Sequence, residues 1–493
     1  MGYYYKEHIQ QRSLHELAAL LDEGHVTSQE LVWAYVERIC EKDQSGPGLN
    51  AVRELDPDVF ELAALRDYQR RQGVILGPLH GIPILLKDCI DTADRTHTTC
   101  GAVVMKDHYA KEDAFLVKRL REAGAIILGK ANMSEWYGFI SSKAPSGYNG
   151  ISGGSMKNPY GPDRLKPGGS SGGCAVAVSA DFAAAAIGTE TAGSIIEPAY
   201  FCSVVGYKPT TGIVSRTGVL PIMMRQDAPG TLTRSVRDAA ILANVLVAPD
   251  PEDAGTWRAE AFAGTDFCRD LDSAELKEKR IGVVWEGYSG EDPQERALTL
   301  HALERLREKG AMVVEVSDFA PGKMKEAAHL YPGSLTTRVM WHVFRARFEE
   351  YLGKLGPDVP VHNLDELIIW NERHPDAIPV GQDYLYELQK ICKPLMSSDF
   401  VEAHRYDIEI CGRQGVLGAL NRYSLDVLVL PGVAYQGIAP RIGCPIISIP
   451  AGYTQQSIPV GLNLIGRPMD DAALLQLAYA CEQALEKRLP PQI

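Results

Sequence analysis

Two serines flanked by glycines, Ser170 and Ser194, are the residues whose types and surroundings best suit covalent chemistry. The first lies in Gly168-Gly169-Ser170-Ser171-Gly172-Gly173 and the second in Gly193-Ser194-Ile195. Because glycine costs backbone entropy on folding and has no side chain to bury, such stretches are poor material for a core. The pattern therefore indicates backbone that is held open around reactive hydroxyls.

The residues before Ser194 suit the second requirement of a nucleophilic serine, which is a site for negative charge. Thr191, Ala192 and Gly193 are small, so their backbone N–H groups and that of Ser194 can converge on an oxyanion. The nucleophile also needs a base, yet the sequence has no Gly-x-Ser-x-Gly motif, and nothing marks a particular histidine as its partner. Lys87 is the remaining candidate base, and a second serine could relay the proton.

Lys87 follows the continuous apolar run Gly81-Ile82-Pro83-Ile84-Leu85-Leu86, which is typical of a buried strand. A lysine at the end of such a strand costs desolvation unless it is paired or neutral. It is either the partner of a carboxylate or a base with a lowered pKa. The segment alone leaves both interpretations open.

Alternating strands and helices must position these residues, and the alternation favours one large α/β domain with a mixed sheet covered by helices on both faces. Capping-box spacing at Ser13 and Thr27 predicts two N-terminal helices over 13–43, with His15 as a plain surface residue. The stretch from Cys174 predicts a buried helix, 280–317 predict two parallel strands joined by a helix, and 320–415 are mostly helical in pattern. Further helices are predicted over 113–123, 235–247 and 471–486, and strands over 82–86, 125–128, 204–207, 281–285, 312–316, 426–430, 445–449 and 459–465.

Composition and charge restrict the partners. The 493 residues carry a formal charge of −13 and 45% apolar residues, so neither nucleic acid nor a membrane is expected as a partner. No secretory signal and no apolar run of the ~20 residues that a membrane span needs is visible. The 10 cysteines form no CxxC pair, which argues against structural zinc or a disulfide framework and favours a reducing cytoplasm. We expect no metal or cofactor, a small-molecule substrate, and a monomer or homodimer.

Several segments together resemble the amidase signature family, and they cover most of the chain except about 250–415. The combination is specific, whereas the glycine-rich serine loop alone would not be. The matching segments are Gly81-Ile82-Pro83 with Lys87-Asp88, Lys130-Ala131-Asn132, Pro167 to Gly173, Gly188 to Ile195, Val205 to Pro209, Thr233 to Val236, and Pro459 to Leu462 with Gly466-Arg467-Pro468.

The resemblance implies an amide hydrolase with the amidase signature fold and without a cofactor. It makes Ser194 the nucleophile, Ser170 the bridging serine, behind a cis Gly169–Ser170 peptide, and Lys87 the base. The oxyanion hole would consist of the backbone amides of Thr191, Ala192, Gly193 and Ser194.

The resemblance also implies a division of the single domain 1–493. Residues of about 70–245 would form the signature core, 250–415 a variable substrate-pocket region, and 420–493 the strands and helix that complete the sheet. Met133 and Tyr137, at the end of a predicted strand, are the expected substrate-binding residues.

Departures from the family pattern indicate which branch of the family the chain resembles. Many members have Asp-Thr-Gly-Gly-Ser-Ile-Arg, where this chain has Glu190-Thr191-Ala192-Gly193-Ser194-Ile195-Ile196. Ala192 still provides an N–H group. Glu190 with no arginine at 196 resembles the branch that includes peptide amidases and related bacterial or fungal amidases. Two alternatives remain: the amidase subunit of a tRNA-dependent amidotransferase, and a non-catalytic binding protein on the same fold.

Overall fold

The computed structural model of the chain describes residues 9–285, 293–319, 335–391, 396–433, 436–485 and 488–493, with side chains of the helix that begins at 335 described from 339 onward. Among the described helices, none combines the length with the apolar character that crossing a membrane would require.

A mixed sheet forms the centre of the described part of the chain. Its strand order is β1-β3-β2-β6-β8-β7-β12-β13-β11-β9-β10, and the two short strands β4 and β5 form a separate hairpin. The strands are β1 Val52–Leu55, β2 Pro83–Lys87, β3 Ile126–Ala131, β4 Tyr148–Asn149, β5 Gly154–Ser155, β6 Ala185–Glu190, β7 Val205–Lys208, β8 Ala228–Thr233, β9 Arg280–Val283, β10 Met312–Glu315, β11 Val427–Val429, β12 Ile446–Tyr453 and β13 Pro459–Ile465. All eight strands predicted from the sequence are present, and β9 and β10 are parallel as predicted.

Helices cover both faces of this sheet, which confirms the predicted fold class. Alternate side chains of one strand enter different cores: Ile446 belongs to one apolar cluster and Ile447 to the other. The α-helices are α1 Leu14–Asp22, α2 Ser28–Lys42, α3 Val59–Arg71, α4 Phe115–Glu122, α5 Gly172–Ser179, α6 Ile196–Cys202, α7 Val236–Leu246, α8 Pro293–Glu308, α9 Leu335–Leu352, α10 Leu364–Arg373, α11 Asp383–Ile391, α12 Ser398–Tyr406, α13 Leu417–Arg422, α14 Ile438–Arg441 and α15 Asp471–Ala484, with a π-helix over Asp407–Val416.

Both predicted capping boxes exist, at Ser13 before α1 and at Thr27 before α2. The interpretation of His15 as a plain surface residue is wrong. Its Nδ1 lies 2.8 Å from Oδ1 of Asp238, and this hydrogen bond raises the pKa of His15. Oδ2 and Oδ1 of the same carboxylate accept the backbone N–H groups of Leu14 and His15, so Asp238 holds the first turn of α1 against α7.

The segment between the two serines contains more than the predicted helix. The helix is α5, and the alanines that follow it form strand β6, which the sequence did not predict. Strand β6 lies beside β2 in parallel, with Leu86 opposite Ile187. The strand is fully buried, and its small side chains let α5 pack close to the sheet.

Candidate active site

The site lies at one edge of the sheet, where the parallel strands β3, β2 and β6 all end. Lys87 is the last residue of β2, Thr189 is the penultimate residue of β6, and the loop that contains Tyr137 follows β3. The carboxyl ends of parallel strands meet at the same edge, which is where open α/β sheets bind their ligands.

Lys87 is fully buried beside hydroxyl and carbonyl oxygens. Its Nζ lies 2.7 Å from Oγ of Ser170 and donates to Oγ1 of Thr189 at 3.0 Å and to the Thr189 carbonyl at 3.2 Å. Among the described residues, no carboxylate lies within ion-pair distance of this amine. Burial lowers the pKa of Lys87, because a desolvated ammonium is costly. Of the two interpretations of this lysine, the geometry favours the base.

Ser171, the residue after Ser170, connects the loop that contains these two residues to β6 by hydrogen bonds. Oγ of Ser171 donates to the carbonyl of Thr189 at 3.0 Å and accepts the Thr189 N–H at 3.3 Å. A Cβ at Gly188 would lie 2.9 Å from Oγ of Ser171, so only glycine permits this close approach. The Gly169–Ser170 peptide is cis, as the resemblance implied.

Ser194 lies in the turn that connects β6 to α6. Gly193 just before it has a φ of 95°, a backbone conformation that suits glycine. Oε2 of the buried Glu190 accepts the N–H groups of Ile195 at 2.8 Å and Ile196 at 3.0 Å, which fixes the turn after the serine. The N–H of Ser171 donates to the carbonyl of Ser194 at 3.1 Å, so the two serine loops are directly connected.

The backbone before Ser194 is held from a second side by the segment 222–227. Nε2 of Gln226 donates to the carbonyl of Thr191 at 3.0 Å, and the hydroxyl of Thr191 donates to the carboxylate of the half-buried Asp227. Asp227 in turn accepts the N–H groups of Ile222 and Met223. Fixed backbone is what an oxyanion site requires, since donors that need no reorganisation stabilise developing charge most strongly.

Ser170 and Ser194 open onto the same cavity, which has a volume of about 230 Å³. The structure contains no hydrogen bond between the two described hydroxyls, although Lys87 and Ser170 are already in contact. Catalytic hydrogen bonds are often long in unliganded sites and tighten when substrate binds. The arrangement is therefore suited to a proton relay that substrate completes.

The cavity is mostly apolar and aromatic. Of the described residues that line it, none is a lysine, an arginine or a histidine, and two, Glu135 and Glu197, are acidic. The lining residues are Ser134, Glu135, Tyr137, Gly138, Phe139, Ile140, Ala144, Pro145, Ser146, Gly147, Tyr148, Gly169, Ser170, Thr191, Ala192, Ser194, Glu197, Ile222 and Met340.

The two expected substrate-binding residues differ in position. Tyr137 lines the cavity, its ring centre lies 5.1 Å from Nζ of Lys87, and its hydroxyl donates to the Leu220 carbonyl. Met133 is fully buried and is not among the lining residues. Its side chain belongs to the apolar core, and its carbonyl accepts the side-chain amide of Asn149 at 2.9 Å.

Two residues of the site, Thr189 and Glu197, were not indicated by the sequence. Thr189 lies within a family segment, yet its contact with Lys87 depends on strand β6, which no pattern predicted. Glu197 follows Ser194 by less than one helical turn, and this spacing alone could have placed it near the nucleophile. Among the described residues, no group of three or more His, Cys, Asp or Glu side chains is arranged to hold a metal ion.

Comparison with known proteins places the chain among amide-cleaving enzymes. A family model described as Amidase matches residues 30–475. A probable amidase of Arabidopsis thaliana is 34% identical over 98% of this chain and 92% of its own length. The native peptide amidase of Stenotrophomonas maltophilia superposes with a TM-score of 0.89 at 36% identity, over 99% of both chains. A glutamyl-tRNA(Gln) amidotransferase subunit of Moorella thermoacetica is 33% identical over 96% of both chains.

Proposed function

The chain belongs to the amidase family, and we propose that it hydrolyses carboxamides through an acyl-enzyme on Ser194, with Ser170 as proton relay and Lys87 as base. The observation that carries this proposal is the contact of 2.7 Å between Nζ of the buried Lys87 and Oγ of Ser170, on the cavity that Ser194 also lines. A neutral amine so placed can accept the Ser170 proton, because Thr189 offers an acceptor for each of its two N–H groups.

The proposed cycle begins with neutral Lys87. The amine takes a proton from Ser170, and Ser170 takes one from Ser194 as its Oγ attacks the carbonyl carbon of the amide. The backbone N–H groups of residues 191–194 stabilise the oxyanion, and each such donor is worth about 2.7–4 kcal/mol of barrier. The relay then returns a proton to the leaving nitrogen, the C–N bond breaks, and water releases the acid from Ser194 by the same route.

We infer that the substrates are linear amides and not internal peptide bonds. The cavity of about 230 Å³ accommodates a small acyl group beside aromatic and aliphatic side chains. The similarity to a peptide amidase supports placing amides of amino acids and short peptides first in a substrate panel.

The amidotransferase subunit is the main alternative, and its relatives share the whole length of this chain. Free glutamine carries an α-carboxylate, for which the described lining residues offer no cationic side chain. We therefore expect the purified chain to hydrolyse simple amides without a partner protein and to leave glutamine intact. Glutaminase activity that depends on a partner would favour the alternative.

A serine-reactive fluorophosphonate followed by peptide mass spectrometry tests the assignment of the nucleophile. We expect label on Ser194 alone, and loss of amide hydrolysis in Ser194→Ala with unchanged thermal stability. Label on another residue, or full activity of Ser194→Ala, would exclude this mechanism. Absence of both labelling and hydrolysis would favour a non-catalytic binding protein.

We also infer that the protein works in a reducing cytoplasm and that it is a monomer or a homodimer. The support is that the described cysteines are all free thiols. Size-exclusion chromatography with light scattering tests the oligomeric state.

A further inference from the structure

Glu197 is an acidic residue on the wall of the catalytic cavity that the proposed cycle does not use. It lies in the first turn of α6, and its backbone N–H donates to the carbonyl of Gly193 at 2.8 Å. It shares the cavity with Ser170 and Ser194. A group bound to its carboxylate would therefore lie beside the reacting carbonyl.

The carboxylate of Glu197 is only weakly neutralised. Its Oε1 lies 3.5 Å from Nζ of Lys166, whose side chain is 54% exposed, whereas that of Glu197 is 23% exposed. Ion pairs with such an exposed partner contribute little, and Lys166 can turn into solvent. Burial raises the pKa of Glu197, while Lys166, the side chain of Gln436 and the N–H of Gly169 oppose this rise. Glu197 thus lines the cavity, and the only charged partner of its carboxylate among the described residues, Lys166, is one that a cationic ligand can replace.

The rest of the cavity also suits a cation better than an anion. Glu135 is 2% exposed, and its Oε2 has no hydrogen-bond partner in the structure. Burial raises the pKa of Glu135 to about 8, which favours the neutral form of this side chain on the wall. The aromatic side chains of Tyr137, Phe139 and Tyr148 line the same space, and aromatic faces attract ammonium groups.

We propose that Glu197 binds an ammonium group on the acyl part of the substrate, so that the enzyme prefers amides of amino acids and related cationic acids. This inference rests on the proposed amide hydrolysis and adds the substrate class. The ammonium group forms a charge-assisted hydrogen bond to the Glu197 carboxylate and displaces Lys166 toward solvent. A substrate with a carboxylate in the same place meets repulsion instead.

Matched pairs of amides test this substrate class. Leucinamide is compared with 4-methylpentanamide, and 6-aminohexanamide with hexanamide, because each pair differs by one amino group. We expect kcat/KM of at least one cationic member to exceed that of its uncharged analogue by roughly tenfold, which corresponds to about 1.4 kcal/mol. The pair that shows the preference locates the ammonium group on the α-carbon or at the chain end. Equal kcat/KM values within both pairs would overturn the proposal.

Three variants separate ligand binding from a structural pairing of Glu197 with Lys166. We expect Glu197→Gln to raise KM for the cationic member by a larger factor than for the uncharged member, so that the preference is lost. We expect Lys166→Met to increase the preference, because a competing cation is removed. A structural role predicts that both substitutions lower the melting temperature and affect both members alike. Loss of the preference in Glu135→Gln but not in Glu197→Gln would refute the role of Glu197 and place the ammonium group at Glu135.

The outcomes distinguish this inference from the proposed function. Hydrolysis of the uncharged amides without a preference for cations leaves the Ser194 mechanism intact and refutes the role of Glu197. If no amide in either pair is hydrolysed and Ser194 is not labelled, the proposed function itself fails. If Glu197→Gln does not fold, the increase expected for Lys166→Met still decides the question.

Discussion

The hydroxyl of Thr189 should raise the folded-state pKa of Lys87 and so influence the pH at which the enzyme becomes active. Thr189→Val tests this. The hydroxyl accepts a hydrogen bond from Nζ of Lys87 at 3.0 Å inside a fully buried site. A hydrogen bond from an ammonium is worth about 1.5–3 kcal/mol and one from a neutral amine about 0.5–1.5 kcal/mol. Removing the acceptor therefore penalises the protonated lysine by about 1 kcal/mol more than the neutral one, which corresponds to about 0.7 pH unit.

The direction in which Thr189→Val shifts the pKa of Lys87 is distinctive. In the proposed mechanism activity requires neutral Lys87, so kcat/KM should fall as the pH drops through the folded-state pKa of this residue. Burial already lowers that pKa, and Thr189→Val lowers it further, which moves the acid limb of the profile to lower pH. The plateau should fall up to tenfold, because one acceptor that orients the amine lone pair toward Ser170 is lost.

Thr231→Val is the matched control for this experiment. Thr231 lies on β8 next to β6, is 1% exposed, and its hydroxyl has no hydrogen-bond partner in the structure. The same loss of a buried hydroxyl should leave the pH profile of kcat/KM in place. The reasoning is refuted if Thr189→Val moves the acid limb to higher pH, or if it leaves both limb and plateau unchanged.

Three further substitutions test other parts of the site and fold. In Lys87→Met the base is lost, and we expect kcat/KM to fall by about 10²–10⁴-fold together with the rate of fluorophosphonate labelling. Gly193 has a φ of 95°, and a Cβ added there would lie 2.5 Å from Cγ of Gln436. We therefore expect Gly193→Ala to lower kcat/KM by roughly 10²-fold or more. The second substitution Gln436→Ala should partly restore kcat/KM. Asp238 raises the pKa of His15. The contribution of this pair to stability is therefore complete below about pH 6.5 and is lost as the pH rises through the folded-state pKa. The melting temperatures of wild type and His15→Gln should differ at pH 6 and converge by pH 9.

Local patterns predicted most of the sheet but not β6, the strand between β2 and β8. The apolar runs 81–86 and 125–128 are continuous, and this pattern indicated that the strands there are buried. Strand β6 contains Ala185-Ala186-Ile187-Gly188, in which alanine favours a helix and glycine weakens either element. Tertiary packing decides here, because Gly188 must approach Ser171 more closely than any side chain would allow.

The sequence predicted the three central residues of the candidate site but not the residues around them. Lys87, Ser170 and Ser194 came from glycine-rich spacing, a buried strand and a family resemblance. The acceptor Thr189 and the acid Glu197 depend on which strands and turns are neighbours, and long-range register is not encoded in any local pattern. Met133 has the character of a pocket residue, yet the loop after β3 directs Tyr137 and not Met133 to the cavity.

The backbone of Thr189 links Lys87 to the loop that contains Ser170. Its carbonyl accepts both Nζ of Lys87 at 3.2 Å and Oγ of Ser171 at 3.0 Å, so one peptide group contacts the base and the loop of Ser170. A small movement of β6 therefore carries both partners together and preserves the contact of 2.7 Å between Lys87 and Ser170. A shift of β6 by one residue would instead turn Thr189 to the other face of the sheet and leave the buried amine without two acceptors. The environment of Lys87, the proposed base, thus depends on strand register as much as on burial.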